Sequence, residues 1–355
     1  MKKRILYLTN IEVPYRVRFF NELAKDCDLT VLYERKKSGN RDSKWSNNEM
    51  AKYHVKYLDG INIGNESAFS LRILKYILGK YDAIIVGCYN SPVQMFAIIV
   101  MKLFHIPYIL STDGEVFLRG KGVKTKIKKF FLAGAEKYLV AGEESAESLK
   151  TIAGSKQIIP YYFSSLTKSE LKKNAEYIGA REANTILVVG QYFGYKGMDI
   201  ALQVAKMDSV HKYKFVGMGN RTELFVKGHQ VEKGGNIEVI PFLQKEELER
   251  EYRSCKMLVL PSRQECWGLV VNEAASFGTP IVSTWGSGAA VEFLSDQFPQ
   301  YLAIPGDTEA LYNCIKELAG TENKEYSRYL VEKSQKYNIE ESVKLHRYAC
   351  GIMED

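Results

Sequence analysis

Short apolar runs alternate with amphipathic stretches along most of the chain. In the first half, RILYLT (4–9), DLTVLY (28–33), DAIIVG (82–87), PYIL (107–110) and KYLVAG (137–142) have the length and branched-residue content of buried strands. Helical patterns lie between several of them, notably Tyr15 to Ala24 and a stretch opening with Ser91 and Pro92, a capping residue followed by proline at the first helical position. Strands and helices taking turns in this way predict an α/β architecture, a parallel sheet with helices on both faces. The pattern starts again at TILVVG (185–190) and continues through YKFVG (213–217), IEVI (237–240), KMLVLP (256–261) and PIVST (280–284), which predicts a second sheet. The polar segment between the two series lacks a clear apolar period. It predicts a first domain over 1–165, a linker over 166–183, a second domain over 184–335, and a C-terminal helix over 336–355 free to pack back on the first domain.

Composition narrows this picture in four respects. With 355 residues, 46% hydrophobic and 26% charged, the chain can build two globular cores. Its longest apolar stretch, Ala97 to Leu110, is interrupted by Lys102, His105 and Pro107 and is shorter than the ~20 residues a membrane-spanning helix needs. The basic start MKKRILYLTN loses its apolar run at Thr9 and Asn10, too early for a signal peptide. The six cysteines (Cys27, Cys88, Cys255, Cys266, Cys314 and Cys350) show no metal-type pairing, so a cytosolic protein with reduced thiols is expected.

The stretch PSRQECWGLVVNEAASFGTP (261–280) carries the candidate chemistry. It follows a strand, and its pattern predicts a helix from Gly268 to about Phe277, ended by Gly278 and Pro280. Val270, Val271, Ala274, Ala275 and Phe277 are expected to face the sheet. Leu269, Asn272, Glu273 and Ser276 share the other side, so that Glu273 projects from a polar stripe. Glu265 lies in the loop at the strand's carboxyl end. Two open α/β domains bind ligands where their strands end, in the cleft between them. A carboxylate there accepts two hydrogen bonds from a vicinal diol, and the free N–H groups around Gly268 and Leu269 suit a phosphate. Diol, phosphate and diol together describe a nucleotide sugar. Taken singly, Glu273 reads more simply as a solvated surface charge and Glu265 as an ordinary loop residue, since glutamate is mostly exposed.

The whole stretch resembles the E-x7-E motif of the retaining glycosyltransferase family 4, with Glu265 and Glu273 at its two glutamates and WGLV, EAAS, GTPIV and WGSGAAVEFL around them. The resemblance implies a GT-B fold, two Rossmann-like parallel-sheet domains facing a central cleft. VVGQYFGYKGMDIALQVA (188–205) resembles the family's phosphate-binding segment and implies that Lys196 contacts the donor diphosphate. FVGMGNRTELF (215–225) resembles the following strand and turn, where Gly217 and Gly219 let backbone approach ligand or sheet; glycines serving a tight turn alone fit as well. VIPFLQKEELEREY (239–252) resembles the segment that reads the nucleobase, near Phe242 and Leu243.

The chain departs from that family in places. Gln191 stands where many relatives carry an arginine, leaving Arg263, Arg16 or Arg18 as candidates for the missing charge. A glycine-rich loop after the first strand is replaced by TNIEVPYRVRFF (9–20), and the first-domain histidine of the family is not evident. Asp113, in YILSTDGEVF (108–117), falls near the histidine's position; it could orient an acceptor hydroxyl or assist its deprotonation, or cap the strand end as an Asx turn.

What the resemblance implies for activity is transfer of a sugar from a nucleoside diphosphate with its anomeric configuration kept, catalysed by Glu265, Lys196 and Asp113 without cofactor or metal. The acceptor is expected to be a saccharide or lipid-linked saccharide of bacterial surface-polysaccharide assembly, such as capsule or lipopolysaccharide. FLRGKGVKTKIKKFFLAGAEKY (117–138) places Arg119, Lys121, Lys124, Lys126, Lys128, Lys129 and Lys137 around Ile127, Phe130 and Phe131, a segment that suits either an anionic membrane surface or a solvated helix face. With a net charge of +7 this favours a protein peripheral to the inner face of the plasma membrane, and no nucleic-acid motif accompanies the charge. A non-catalytic nucleotide-sugar-binding subunit and a nucleotide-sugar epimerase are the alternatives on the same architecture.

Overall fold

The expected strand runs pair into two separate all-parallel sheets. The structure, a computed structural model, describes residues 1–36, 50–64, 67–114, 122–177, 184–232 and 234–352. The chain divides into a first unit of Met1–Phe163 with Ile339–Asp355 and a second unit of Ser164–Asn338.

In the first unit, β1 (Arg4–Ile11), α1 (Pro14–Leu23), β2 (Asp28–Arg35) and β3 (His54–Tyr57) precede a small hairpin of β4 (Ile61–Ile63) and β5 (Ser67–Phe69). Then come α2 (Ile73–Ile77), β6 (Ala83–Val86), α3 (Pro92–Leu103), β7 (Ile109–Thr112), α4 (Val123–Leu132), β8 (Lys137–Ala141), α5 (Glu143–Ala153) and β9 (Gln157–Tyr161). The seven-stranded sheet runs β3-β2-β1-β6-β7-β8-β9. Its central runs are apolar throughout because helices cover both faces; Leu6, Leu8, Val86, Leu110 and Val140 are buried against Ala97, Met101, Leu132 and Leu149 of the helices. Ser91 caps α3 by accepting from the Gln94 N–H at 3.3 Å, with Pro92 in the first turn. The edge strands escape the apolar signal. β3 is HVKY, alternating exposed and half-buried, and β9 contains Pro160, which an edge position tolerates.

The second unit contains α6 (Lys168–Ala175), β10 (Thr185–Val189), α7 (Met198–Met207), β11 (Lys212–Val216), α8 (Thr222–Gly228), β12 (Ile237–Ile240) and α9 (Lys245–Ser254). It continues with β13 (Met257–Val259), α10 (Leu269–Ser276), β14 (Ile281–Thr284), α11 (Gly288–Leu294), β15 (Leu302–Ala303), α12 (Thr308–Ala319) and α13 (Lys324–Ser334). Its six-stranded sheet runs β12-β11-β10-β13-β14-β15.

Two expectations change here. The first concerns the linker over 166–183. Residues 168–175 instead form α6, started by a full capping box between Thr167 and Glu170 and fixed by buried Leu171. Its Asn174 amide donates to Ser276 Oγ of α10 at 2.9 Å, so this helix is part of the second unit; residues 178–183 of the expected linker lie outside the described residues. The second concerns the polar stripe of α10. Asn272 and Ser276 point inward and are buried, while Val270 is half-buried. The reason is the buried Trp267, whose indole N–H needs an acceptor and finds Asn272 Oδ1 at 2.8 Å.

The last helix, α14 (Ile339–Ala349), packs on α1 of the first unit. Arg347 donates to the Glu22 carbonyl at 2.6 Å and pairs with Asp26 at 2.8 Å. His346, 1% exposed, sits among Tyr7, Phe19 and Tyr161, with ring centroids 6.4, 4.7 and 4.8 Å away.

Candidate functional site

In the second unit the strand order reverses on either side of β10, with β11 on one flank and β13 on the other. Loops leaving the carboxyl ends of such neighbours diverge and open a crevice for a ligand. Residues 190–197 leave β10 there and residues 260–268 leave β13. The backbone laces them together, since the N–H groups of Arg263 and Gln264 both donate to the Tyr195 carbonyl, at 2.8 and 3.1 Å. Gly197 has φ +69°, and a Cβ on it would lie 1.9 Å from the Pro261 carbonyl oxygen. Glycine alone satisfies both constraints.

That close approach brings the preceding residue, Lys196, onto Glu265. Ammonium and carboxylate form an ion pair with side chains only 18% and 12% exposed. Ser262 Oγ donates to the other carboxylate oxygen at 2.7 Å. The glutamate backbone is clamped as well: its N–H donates to the Gly286 carbonyl at 2.8 Å and its carbonyl accepts from the Gly288 N–H at 3.3 Å. Lys196 and Glu265 are thus pre-positioned by fixed backbone, as electrostatic work on a ligand requires.

Arg263, expected as a phosphate contact, faces elsewhere. Its guanidinium forks onto Asp199, with both N–O distances at 2.7 Å, and also donates to the Gly194 carbonyl at 2.7 Å. The shared hydrogen bonds raise the Arg263 pKa and hold Asp199 below the usual carboxylate range. Arg263 braces the loop that carries Lys196. Of the other candidates for the charge missing at Gln191, Arg16 is buried and paired with Asp113, and Arg18 is half-buried on α1.

Glu273 stands one turn into α10, where Ser165 Oγ donates to one carboxylate oxygen at 2.9 Å and Tyr252 OH to the other at 3.0 Å. Burial pushes its pKa up, against the opposing pull of those two hydrogen bonds. Burial and the neighbouring Glu273 also hold the Tyr252 phenol well above its ordinary value, so it stays a donor. Each oxygen keeps a further lone pair, so a diol can still be accepted. Before Glu273, Gly268 (φ +104°) and Leu269 open α10 with no side-chain cap, leaving N–H groups at the helix start.

Gly217 and Gly219 donate to the Ile240 and Pro241 carbonyls at 3.2 and 2.8 Å and join the ends of β11 and β12. The loop that follows β12 carries half-buried Phe242 and Leu243, whose peptide groups take no hydrogen bond among the described residues. Asp113, just after β7 in the first unit, accepts from Arg16 and, at 3.2 Å, from Tyr161 OH. An ion pair with α1 therefore holds the carboxylate for which the sequence left an acceptor-side role and an Asx turn both open. All six cysteines are unbridged, and among the described residues no group of three or more His, Cys, Asp or Glu side chains is placed to hold a metal ion. No described helix is long and apolar enough to cross a membrane.

Sequence reasoning passed over Ser262, Asp199, Ser165 and Tyr252. The nearer pair left a trace: Ser262 lies three residues before Glu265, and Asp199 occupies the first turn of α7, where an acid suits the helix dipole. Ser165 and Tyr252 reach Glu273 from 108 and 21 residues away and left none.

Comparison with known proteins bears on the fold and on the second unit. Residues 172–337, nearly all of the second unit, match the family model of Glycosyl transferases group 1. An uncharacterized glycosyltransferase of Methanocaldococcus jannaschii is 25% identical over 70% of this chain and 68% of its own length. An uncharacterized protein in the cps region of Klebsiella pneumoniae is 33% identical over 32% of this chain, a match that spans only 31% of that relative. Among solved structures, Anabaena HepE in complex with UDP and glucose superposes with a TM-score of 0.69 at 16% identity, covering 98% of both chains. The chain thus has the GT-B fold, and its second unit matches the glycosyl transferases group 1.

Proposed function

We propose that the protein is a glycosyltransferase that moves a sugar from a nucleoside-diphosphate sugar to a saccharide or lipid-linked saccharide acceptor with retention of anomeric configuration. The observation that carries the reading is the Lys196–Glu265 pair, held by fixed backbone at the switch point of a parallel sheet, within the segment that matches the group 1 glycosyltransferases. The UDP and glucose held by HepE supply the class of donor.

In this reading the diphosphate enters beside Lys196 and the N–H groups of Gly268 and Leu269, and takes over the lysine's charge from Glu265. Glu265, released from the ammonium and still held by Ser262, accepts hydrogen bonds from the sugar hydroxyls. Glu273 accepts the ribose diol, and the free peptide edges of Phe242 and Leu243 meet the base. As the glycosidic bond to the diphosphate breaks, negative charge grows on the leaving oxygen, where Lys196 stabilises it; that oxygen then receives the acceptor's proton on the same face of the sugar. Asp113, with Arg16 and Tyr161 fixing its carboxylate, is assigned to orient the acceptor hydroxyl. None of these steps draws on a metal ion. The cps region that the description of one relative names supports a role in bacterial surface-polysaccharide assembly; the place of action proposed with it is the cytoplasmic face of the membrane.

Substitution of Lys196 tests the assignment. Lys196→Ala should lower kcat along with donor affinity, because the interaction strengthens in the transition state. A rise in KM with kcat preserved would reduce Lys196 to a binding residue, and nucleotide binding without any transfer to lipid-linked acceptors would favour a non-catalytic subunit.

A further inference from the structure

The first unit carries an apolar surface that no described residue covers. On α4, Val123, Ile127 and Phe130 are 72, 49 and 52% exposed. At about 100° per residue they form one narrow stripe. On the neighbouring α3 and just past its end, Ile99, Leu103 and Phe104 are 44, 70 and 63% exposed. Lys102 joins the two helices: its ammonium donates to the Phe130 carbonyl and lies 4.1 Å from the centroid of the Phe130 ring. Phe131 and Leu132, by contrast, are buried, so α4 has its own inward face and its outer stripe is surplus to the core.

We infer that this two-helix ridge is the protein's docking surface for an anionic lipid bilayer. Charge complementarity selects that occupant. Lys126 and Lys129 flank the α4 stripe on one side and Lys124 on the other, all exposed, and neither α3 nor α4 contains an acidic residue. Apolar side chains enter the boundary between headgroups and acyl chains while flanking lysines meet the anionic headgroups. A second copy of the chain is disfavoured as occupant, because facing ridges would oppose lysine to lysine. Lys128, half-buried with its ammonium 5.9 Å from the centroid of the Tyr89 ring, belongs to the inner side of the helix and is left out of the surface. Arg119 and Lys121 lie outside the described residues. This inference deepens the proposed place of action at the membrane, yet it stands or falls without the transferase reading, since binding to vesicles needs no donor.

The experiment is co-sedimentation of the full chain with phosphatidylcholine vesicles, with and without phosphatidylglycerol. The wild type should sediment with the anionic vesicles and dissociate in 1 M salt, where charges are screened beyond ~3 Å. The combined variant Lys124→Gln, Lys126→Gln, Lys129→Gln should lower the partition coefficient by about a hundredfold. A second variant, Leu103→Ser, Ile127→Ser, should also lose binding while keeping its circular dichroism spectrum and Tm, because both side chains lie on the exposed outer faces of the two helices. Wild-type protein that stays in the supernatant, or either folded variant sedimenting like wild type, overturns the inference. So does a wild-type dimer that falls apart in the serine variant without any binding to vesicles.

Discussion

Replacing His346 by phenylalanine should remove an acid sensitivity from the first unit. The imidazole lies on α14, 1% exposed, between Tyr7, Phe19 and Tyr161, with Nδ1–H donating to the Ser342 carbonyl at 2.8 Å. Burial, reinforced by the Arg16 guanidinium and opposed by that hydrogen bond, brings its pKa down from 6.5 to about 4. The folded state therefore refuses a proton that the unfolded chain accepts. Stability from this group is complete above pH 6.5 and falls as the pH drops toward 4, below which the group adds no further loss. Each pH unit in that window is worth about 1.4 kcal/mol, so the loss reaches about 3 kcal/mol at pH 4. Urea unfolding of wild type and His346→Phe across pH 4 to 8 measures it as the difference between two curves. Buried Glu34 and Glu273, whose pKa values burial raises, titrate with the opposite sign, but they contribute equally to both proteins and cancel. The two curves should converge at neutral pH, apart from a constant offset, and separate progressively in acid, the wild type being the more sensitive. Parallel curves throughout, or an imidazole seen by NMR to titrate near 6.5, would refute the reasoning.

Two further outcomes test the second unit. Glu273→Ala should weaken nucleoside diphosphate binding by roughly 1.5–3 kcal/mol, the range for hydrogen bonds to a charged group, as read by calorimetry; unchanged affinity in a folded protein would remove Glu273 from the ribose. Gly197→Ala, by placing a methyl group 1.9 Å from the Pro261 oxygen and a side chain at φ +69°, should force apart the loops that join Lys196 to Glu265; wild-type kcat and Tm in this variant would show that their apposition does not depend on the glycine.

Both sheets were legible because their central strands are buried on two faces and so read as continuous apolar runs. The edge strands β3 and β9 were not, since an edge strand needs neither a full apolar run nor every N–H, and Pro160 is admissible there. Helix α6 was not legible because its ties to the rest of the second unit are one buried leucine, one asparagine and the ion pair of Glu170 with Lys245, too little to make a period. At the site, Glu265, Glu273 and Lys196 could be named from local motif alone. Their partners could not, because Lys196 meets Glu265 across 69 residues through the pairing of β10 with β13, a relation that local pattern does not encode. The inward turn of Asn272 was hidden for a similar reason: one buried indole outweighed the helical periodicity of the stretch around it.

The return of α14 to the first unit has a bearing on how the protein is made. Residues 164–338 form a complete unit, whereas the first unit consists of two segments separated by all of them. During synthesis the second unit can finish folding as it leaves the ribosome, while Phe19 and Tyr161 must wait for His346 and its helix to cover them. For that interval the nascent chain exposes an aromatic surface with no native partner yet made. The earlier-made half of the protein is thus the later to mature, and chaperone contact during translation is best looked for on the helix that begins at Pro14.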